Sequence, residues 1–280
     1  MTAVATAGSL VRLPPDRFDG YALDLDGTVY LDDQLLPGAA EAIALMRERG
    51  SAVAFVTNKP LHSAAEYAAK LSGLGIPAEQ SDVVTALDSM VRYLVHQRPG
   101  SRLLTIAEPL VDQVLTGAGF SVVTDPGQAE VVVVSFDRGF DYAKLRAAYH
   151  AVRHGAVIVA TNPDPYCPTA DGGLPDCAAM LAAVEACTGR TAEVVTGKPS
   201  RWMGEALLER LGVPPERAAL VGDRVTTDVA MGQRLGMAGV LVLSGATTPG
   251  DLAASPVHPD YVIQGLADLV PVLSRPEELR

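Results

Sequence analysis

The amino-acid sequence predicts an α/β protein built on a parallel sheet. Apolar runs of strand length alternate with helical patterns from one end of the 280-residue chain to the other. This alternation is typical of parallel sheets covered by helices. The middle of the chain also has enough predicted strands and helices for a small domain of its own. We therefore predict one α/β domain that is interrupted by another.

Strands are assigned to the apolar runs, and helices to apolar residues at helical spacing. The first helix places Ile43 and Met46 on one face and ends at Gly50. The second begins at Ser63 and Glu66, which have the spacing of a capping box. The predicted strands are 21–24, 52–57, 103–106, 131–136, 156–160, 219–221, 240–243 and 261–263. The predicted helices are 37–49, one that starts at 63 and ends near 73–75, 109–116, 142–153, 201–211, 227–235 and 266–273.

These elements predict the domain organisation. Residues 1–17 are expected to be an N-terminal tail, because they lack the basic start and long apolar stretch of a secretory signal. The main domain is assigned to 18–85 and 189–280, and the inserted domain to 86–188.

The composition excludes several classes of protein. Hydrophobic residues make up 48% of the chain and charged residues 20%, which is typical of a folded protein with a large core. The formal net charge of −11 argues against electrostatic attraction to nucleic acids or anionic membranes. No apolar run approaches the ~20 residues needed to cross a bilayer. We expect a cytoplasmic protein with neither nucleic-acid nor membrane partners.

The chain has three cysteines, Cys167, Cys177 and Cys187. An odd number without a CxxC pair fits neither a disulfide framework nor a structural zinc site. They are expected to be reduced thiols. A catalytic cysteine remains an alternative.

The segment Asp24-Leu25-Asp26-Gly27-Thr28 places two carboxylates where the first strand ends. Ligands of open parallel sheets bind beyond the carboxyl ends of the strands, so a site is expected here. A calcium loop does not fit, because its glycine is the sixth residue and Gly27 is the fourth when Asp24 is the first. An Asp-Gly turn without a function is the structural alternative.

Polar residues occupy three further strand-to-helix junctions. Thr57 and Asn58 end the second strand, Lys198 precedes the helix at 201, and Asp223 follows the strand at 219–221, with Asp228 shortly after it. Each has an ordinary structural alternative, such as a surface lysine or an N-cap aspartate. All four junctions together favour a functional site.

The pattern around Lys198 does not fit a nucleotide-binding Walker loop. Ala192 stands where that loop requires its first glycine, and Pro199 follows the lysine.

The residue types at the four junctions suit phosphoryl chemistry. Asp24, Asp26 and Asp223 offer the oxygen ligands that Mg²⁺ prefers. A carboxylate nucleophile beside a second carboxyl group can split the hydrolysis of a phosphate ester into two easier steps. Donors and a positive charge for the phosphoryl oxygens come from Thr57, Asn58 and Lys198.

The four segments resemble, in order, the four motifs of the haloacid dehalogenase (HAD) superfamily of phosphatases, and the resemblance extends from about residue 18 to 273. It implies a Rossmann-like, doubly wound parallel-sheet core. The inserted domain resembles the large α/β cap, of the C2 type, found in the nitrophenylphosphatase-like and sugar-phosphatase branch.

The resemblance also implies a role for each residue. Asp24 would attack phosphorus, and Asp26 would protonate the leaving group and then activate water. Mg²⁺ would be bound by Asp24, Asp223 and the backbone carbonyl of Asp26, with Asp228 in support. The transferring phosphoryl group would be bound by Thr57, Asn58 and Lys198. Because dehalogenases of the superfamily lack the second aspartate, Asp26 indicates phosphoester hydrolysis.

A loop in the inserted domain, Thr161-Asn162-Pro163-Asp164, is similar to the family's substrate-specificity loop, which makes Asn162 and Asp164 candidate specificity residues. A turn after the strand at 156–160 is the structural alternative. The segment 175–178 departs from the Gly-Ala-Gly sequence of many relatives. Together with 197–200 and 259–262, it looks closer to a bacterial sugar phosphatase. Whether Lys59, next to Asn58, contacts substrate is left open.

The expected function is therefore Mg²⁺-dependent hydrolysis of small phosphorylated metabolites, chiefly sugar or polyol phosphates. A phosphotransferase or phosphomutase, and a non-catalytic regulator that binds a phosphorylated metabolite, are the alternatives. The resemblance is compatible with a homodimer formed through the caps.

Overall fold

The computed structural model describes residues 10–167, 169 and 173–275. In chain order the strands are β1 (Gly20–Asp24), β2 (Tyr30–Leu31), β3 (Gln34–Leu35), β4 (Ala52–Thr57), β5 (Val83–Thr85), β6 (Arg102–Ile106), β7 (Ser121–Val122), β8 (Val131–Val134), β9 (Val157–Ala160), β10 (Tyr166–Cys167), β11 (Leu174–Pro175), β12 (Val194–Val195), β13 (Ala218–Gly222), β14 (Ala238–Val242) and β15 (Tyr261–Ile263). The α-helices are α1 (Ala39–Glu48), α2 (Ala64–Gly73), α3 (Ala86–Gln97), α4 (Pro109–Gly117), α5 (Tyr142–Arg153), α6 (Cys177–Thr188), α7 (Arg201–Leu211), α8 (Ala230–Leu235), α9 (Pro249–Ala254) and α10 (Val270–Leu273). The predicted α/β class is confirmed.

The larger sheet has six strands in the order β15-β14-β13-β1-β4-β5. Its central strands run parallel, with Gly20 opposite Ala218 and Asp24 opposite Val56. Both β1 and β13 are buried along their whole length, which explains why they are uninterrupted apolar runs in the sequence. Because the strands are parallel, the residues that follow β1, β13 and β14 emerge at the same edge.

The second sheet has five strands in the order β12-β9-β8-β6-β7, and its paired strands are also parallel. One face is covered by α5 and α6, whose Ala148 and Val184 pack with Val132. The other face is covered by α3 and α4, and Trp202 packs there against Tyr93 with ring centroids 5.4 Å apart. The single tryptophan is therefore a packing residue of this cluster.

The chain forms two compact units. The first comprises the described parts of Met1–Val56, Ala68–Val83 and Leu207–Arg280, and the second comprises those of Thr57–Tyr67 and Val84–Ala206. The second sheet includes β12, which lies beyond the predicted end of the insertion at 188. The domain boundaries 18–85, 86–188 and 189–280 stay a prediction, and much of the predicted tail, 1–9, lies outside the described residues.

Two predicted helices are not α-helical at their start. The helix predicted at 227–235 begins with one π-helical turn, Val225–Val229, and only then continues as α8. The helix predicted at 266–273 begins as a 3₁₀ turn, Leu266–Leu269, before α10. Within the described ranges, none of the helices is long and apolar enough to cross a membrane.

Candidate active site

The strand β1 ends with the buried carboxylate of Asp24. A tight turn follows, in which the N–H groups of Thr28 and Tyr30 donate to the carbonyl oxygen of Leu25 at 3.3 and 3.2 Å. Gly27 has a φ of +86°, a conformation that favours glycine. The Thr28 hydroxyl lies 3.4 Å from Asp24 Oδ2 and donates to it, so the turn itself orients the predicted nucleophile.

Asp26 lies inside this turn and is less buried than Asp24. Its backbone pairs with that of Tyr30 in an isolated β-bridge, which fixes the course of the chain on both sides of it. The two predicted catalytic aspartates thus lie close together in the chain, but Asp24 is buried and Asp26 is half-buried.

Asp223 and Asp228 are placed by the end of β13. Both are buried, and Asp228 Oδ2 accepts a hydrogen bond of 3.0 Å from the Arg224 N–H. A Cβ at Gly222 would overlap the Asp228 side chain, so only glycine fits there. The π-helical turn that carries Asp228 is therefore packed directly on the strand end, and such turns frequently occur at functional sites.

Three of these carboxylates form a cluster that could hold a metal ion. Asp24, Asp223 and Asp228 each offer an oxygen atom, and these oxygens lie within 4.8 Å of one another. Buried carboxylates so close together repel one another unless a cation or a proton lies between them. Hard oxygen ligands suit Mg²⁺, so the residues present fit the predicted ion.

The cluster differs in two respects from the predicted ligand set. It includes Asp228, predicted as a supporting residue, and does not include the carboxylate of Asp26. The family resemblance assigns metal binding to the backbone carbonyl of Asp26, not to its side chain.

The remaining predicted phosphate ligands belong to the second unit. Thr57, Asn58 and Lys198 are all buried. Asn58 Oδ1 accepts a hydrogen bond of 2.7 Å from the Lys198 N–H, and a Cβ at Gly197 would come within 2.6 Å of that oxygen. Thr57 Oγ1 accepts from the N–H of Lys59 at 3.1 Å. The structure therefore brings the second and third motifs together through the Asn58 side chain.

The predicted specificity loop joins the same group of residues. Asn58 Nδ2 donates to Asp164 Oδ2 at 2.9 Å, and Asn162 Nδ2 donates to the carbonyl oxygen of Asn58 at 3.1 Å. Asn162 also donates to Asp176 Oδ1 at 3.3 Å and accepts from the Asp164 N–H at 2.9 Å. Both candidate specificity residues are buried and hydrogen-bonded to protein groups.

Cys177 does not have the properties of a nucleophile. It is completely buried, its thiol donates to the carbonyl oxygen of Val134 at 3.3 Å, and burial raises the pKa of the thiol to about 12. Because the thiolate is the reactive form, a catalytic role for this cysteine is not supported.

Sequence analysis missed the residues that follow β14. The Ala246 N–H donates to Asp223 Oδ2 at 2.6 Å, and the Ser244 hydroxyl donates to the carbonyl oxygen of Gly27 at 2.7 Å. Their position in the chain was the signal that could have found them. A polar segment that contains a glycine follows the buried strand β14, as one does after β1.

Known proteins with similar sequences and a similar fold identify the family. A model of the haloacid dehalogenase-like hydrolases matches residues 21–121, and a second model, of HAD-like hydrolases, matches 195–269. The sugar-phosphatase AraL of Bacillus subtilis is 34% identical over 251 residues, which cover 89% of this chain and 91% of that protein.

Solved structures agree with these matches. The 4-nitrophenylphosphatase of Thermotoga maritima superposes with a TM-score of 0.84 at 35% identity, covering 92% of this chain and 98% of that one. A glycerol phosphate phosphatase from Mycobacterium tuberculosis, solved in complex with magnesium, gives a TM-score of 0.81 at 32% identity over 90% of this chain and 76% of that one. Since the family models and a relative 34% identical over most of both chains agree, the chain belongs to the haloacid dehalogenase-like hydrolases.

Proposed function

We propose that the chain is a Mg²⁺-dependent phosphomonoester hydrolase that acts on sugar or polyol phosphates. The observation that carries this proposal is the buried cluster of Asp24, Asp223 and Asp228 at the carboxyl end of β1 and β13. The similarity to a sugar phosphatase and to a glycerol phosphate phosphatase supports the substrate class.

The proposed reaction has two steps. Asp24 attacks phosphorus, and the bond from phosphorus to the ester oxygen breaks while Asp26 donates a proton to that oxygen. An aspartyl-phosphate and the free alcohol result. Asp26 then takes a proton from a water molecule that attacks the aspartyl-phosphate, which releases inorganic phosphate and regenerates Asp24.

The other predicted residues stabilise charge during both steps. Mg²⁺, bound by Asp24, Asp223 and the Asp26 carbonyl, would neutralise the negative charge that accumulates beside the buried carboxylates. Asp228 supports this site. In this proposal the phosphoryl oxygens accept hydrogen bonds from Thr57 and Asn58, and they interact with the positive charge of Lys198. Asn162 and Asp164 belong to a loop of the inserted cap. In this proposal, that loop recognises the alcohol portion of the substrate.

The test is release of inorganic phosphate from p-nitrophenyl phosphate and from a panel of sugar and polyol phosphates, with Mg²⁺ or with chelator. We expect Mg²⁺-dependent release by the wild type. Asp24→Asn should lower it by about 10³-fold or more, because an amide cannot serve as the nucleophile.

Three outcomes contradict the proposal. Transfer of phosphate to an added alcohol or sugar without release would indicate a phosphotransferase or mutase. Binding without turnover would indicate a regulator. Normal release by folded, undeamidated Asp24→Asn protein would reject Asp24 as the nucleophile.

A further inference from the structure

The loop 244–247 contacts Asp223 of the acidic cluster and the turn that follows Asp24. It follows β14, the neighbour of β13 in the larger sheet. The Ser244 hydroxyl donates to the Gly27 carbonyl oxygen in the turn after Asp24, and the Ala246 N–H donates to the carboxylate of Asp223. The loop therefore connects the turn of the predicted nucleophile with a predicted metal ligand.

The Asp223 carboxylate is packed between two glycines. A Cβ at Gly245 would overlap the carboxylate, and a Cβ at Gly27 would come within 2.6 Å of Asp223 Oδ2. Gly245 is exposed, so the packing of a hydrophobic core does not explain why a side chain is excluded there. Contact with the carboxylate does explain it.

Thr247 holds the backbone at the same aspartate and two residues after it. Its N–H donates to the carbonyl oxygen of Asp223 at 3.2 Å, and its hydroxyl accepts from the Val225 N–H at 3.4 Å. Thr247 is buried, whereas Gly245 beside it is not. Asp223 is thus held by the loop through its side chain and through its backbone.

We propose that residues 244–247 are positioning residues that set the rotation of the Asp223 carboxylate and hold it in register with the turn after Asp24. This inference rests on the proposed function, since it concerns the same metal site. Mg²⁺ demands near-ideal octahedral geometry, so a carboxylate that can rotate binds it less well. Groups that orient metal ligands typically change metal affinity by 10- to 100-fold when they are altered.

The direct test is calorimetric titration of the full-length protein with Mg²⁺ alone. Gly245→Ala should weaken Mg²⁺ binding by about 10- to 100-fold, because the new methyl group displaces the carboxylate. Ser244→Ala should weaken it by about two- to tenfold, the effect of one hydrogen bond, and Ser244→Thr should restore most of the loss. Gly250→Ala is the matched control, since its Cβ would lie 3.7 Å from the nearest atom, Thr248 Oγ1, and it should bind as the wild type does.

Kinetics distinguish positioning from general damage to the fold. In the Gly245→Ala protein, the Mg²⁺ concentration for half-maximal activity should rise, while kcat at saturating Mg²⁺ should recover towards the wild-type value. Loss of kcat that Mg²⁺ does not restore, with unchanged Mg²⁺ affinity, would overturn the proposal.

Two further outcomes are decisive. If Gly245→Ala does not fold, the same titration of Ser244→Ala and Ser244→Thr decides the question. Equal Mg²⁺ affinities of these two variants and the wild type would reject the positioning role. Because the titration needs no substrate, a wild type that binds Mg²⁺ but hydrolyses no ester would reject the proposed function and leave the inference to be decided by the variants.

Discussion

Asp24 and Asp26 are two residues apart, yet their side chains have different environments. Asp24 is buried, accepts from the Thr28 hydroxyl and belongs to the acidic cluster. Asp26 is half-buried and its carboxylate is outside that cluster. A carboxylate that lies beside a bound cation stays ionised, as a nucleophile must. This difference is consistent with the two roles that we propose.

Asp26→Ala should therefore affect different substrates unequally. General acid catalysis contributes about 10²- to 10⁴-fold, and nitrophenolate needs less protonation than a sugar alkoxide does. We expect kcat for a sugar phosphate to fall within that range and kcat for p-nitrophenyl phosphate to fall less. Steady-state kinetics with both esters measure this, and equal losses would argue against Asp26 as the acid for the leaving group.

The cysteines offer a test at the residue scale that is independent of function. Cys177 is completely buried with a thiol pKa raised to about 12 by that burial, whereas Cys187 is exposed. Alkylation by iodoacetamide at pH 8 should modify Cys187 within minutes and leave Cys177 unmodified until the protein is denatured. Peptide mass spectrometry locates the label, and the Cys187→Ser protein should take up almost none under native conditions. Rapid alkylation of Cys177 in the native protein would contradict the burial of its side chain.

At the scale of elements, the buried strands were predictable from the sequence. Very short strands, and a helix composed almost entirely of small or apolar residues, were not. The strand predicted at 52–57 coincides with β4, and the helix predicted at 142–153 coincides with α5. By contrast, α6 is almost entirely small or apolar, so it has no polar face that would produce a helical period. Two-residue strands such as β12 depend on pairing with a neighbouring strand and leave no pattern in the sequence.

The candidate site could be predicted in part for similar reasons. Aspartates after buried strands are visible as residue types, so Asp24 and Asp223 could be found from the sequence. The contact of Asp223 with the loop 244–247 depends on the N–H of Ala246 and on the missing side chain of Gly245. Any residue except proline has such an N–H group, and glycine is common in loops, so neither feature indicates a function before the chain is folded.

The predicted specificity loop of the second unit leads to a prediction about coupling between elements. Asp164 accepts from Asn58, and Asn58 in turn accepts from the Lys198 N–H. Asp164→Ala should thus lower kcat/KM for every phosphate ester by a shared factor, through Asn58 and Lys198, and should also change the ratios between esters if the loop recognises the alcohol. Values of kcat/KM for several esters separate the two effects.

The matched control for Asp164→Ala is Asp125→Ala, an exposed aspartate of the same unit that accepts from the Gly127 N–H. It should keep both the rate and the ratios. Unchanged kinetics in the Asp164→Ala protein would contradict both the coupling through Asn58 and a role in specificity.

At the scale of the whole molecule, we expect the acidic cluster to make stability depend on a bound cation. The chain has a formal net charge of −11, and Asp24, Asp223 and Asp228 place three of its acidic groups within a few ångströms in a buried site. Without a cation these groups disfavour the folded state, because the unfolded chain separates and hydrates them. An ion that binds only the folded protein offsets this cost in proportion to its saturation.

Magnesium should consequently raise the midpoint of thermal unfolding, and Asp223→Asn should change that response in two ways. At 100 times the dissociation constant a ligand stabilises the folded state by about 2.7 kcal/mol, which corresponds to roughly 5–10 °C for a domain of 150–250 residues. The asparagine keeps an oxygen that can accept from the Ala246 N–H but removes one buried charge. In chelator, this variant should therefore unfold at the wild-type temperature or above it, and added Mg²⁺ should no longer produce most of the shift.

Differential scanning calorimetry measures both unfolding temperatures. The Asp125→Asn protein, in which an exposed carboxylate is changed, is the control and should keep the full Mg²⁺ shift. An undiminished Mg²⁺ shift in the Asp223→Asn protein would show that the ion binds elsewhere.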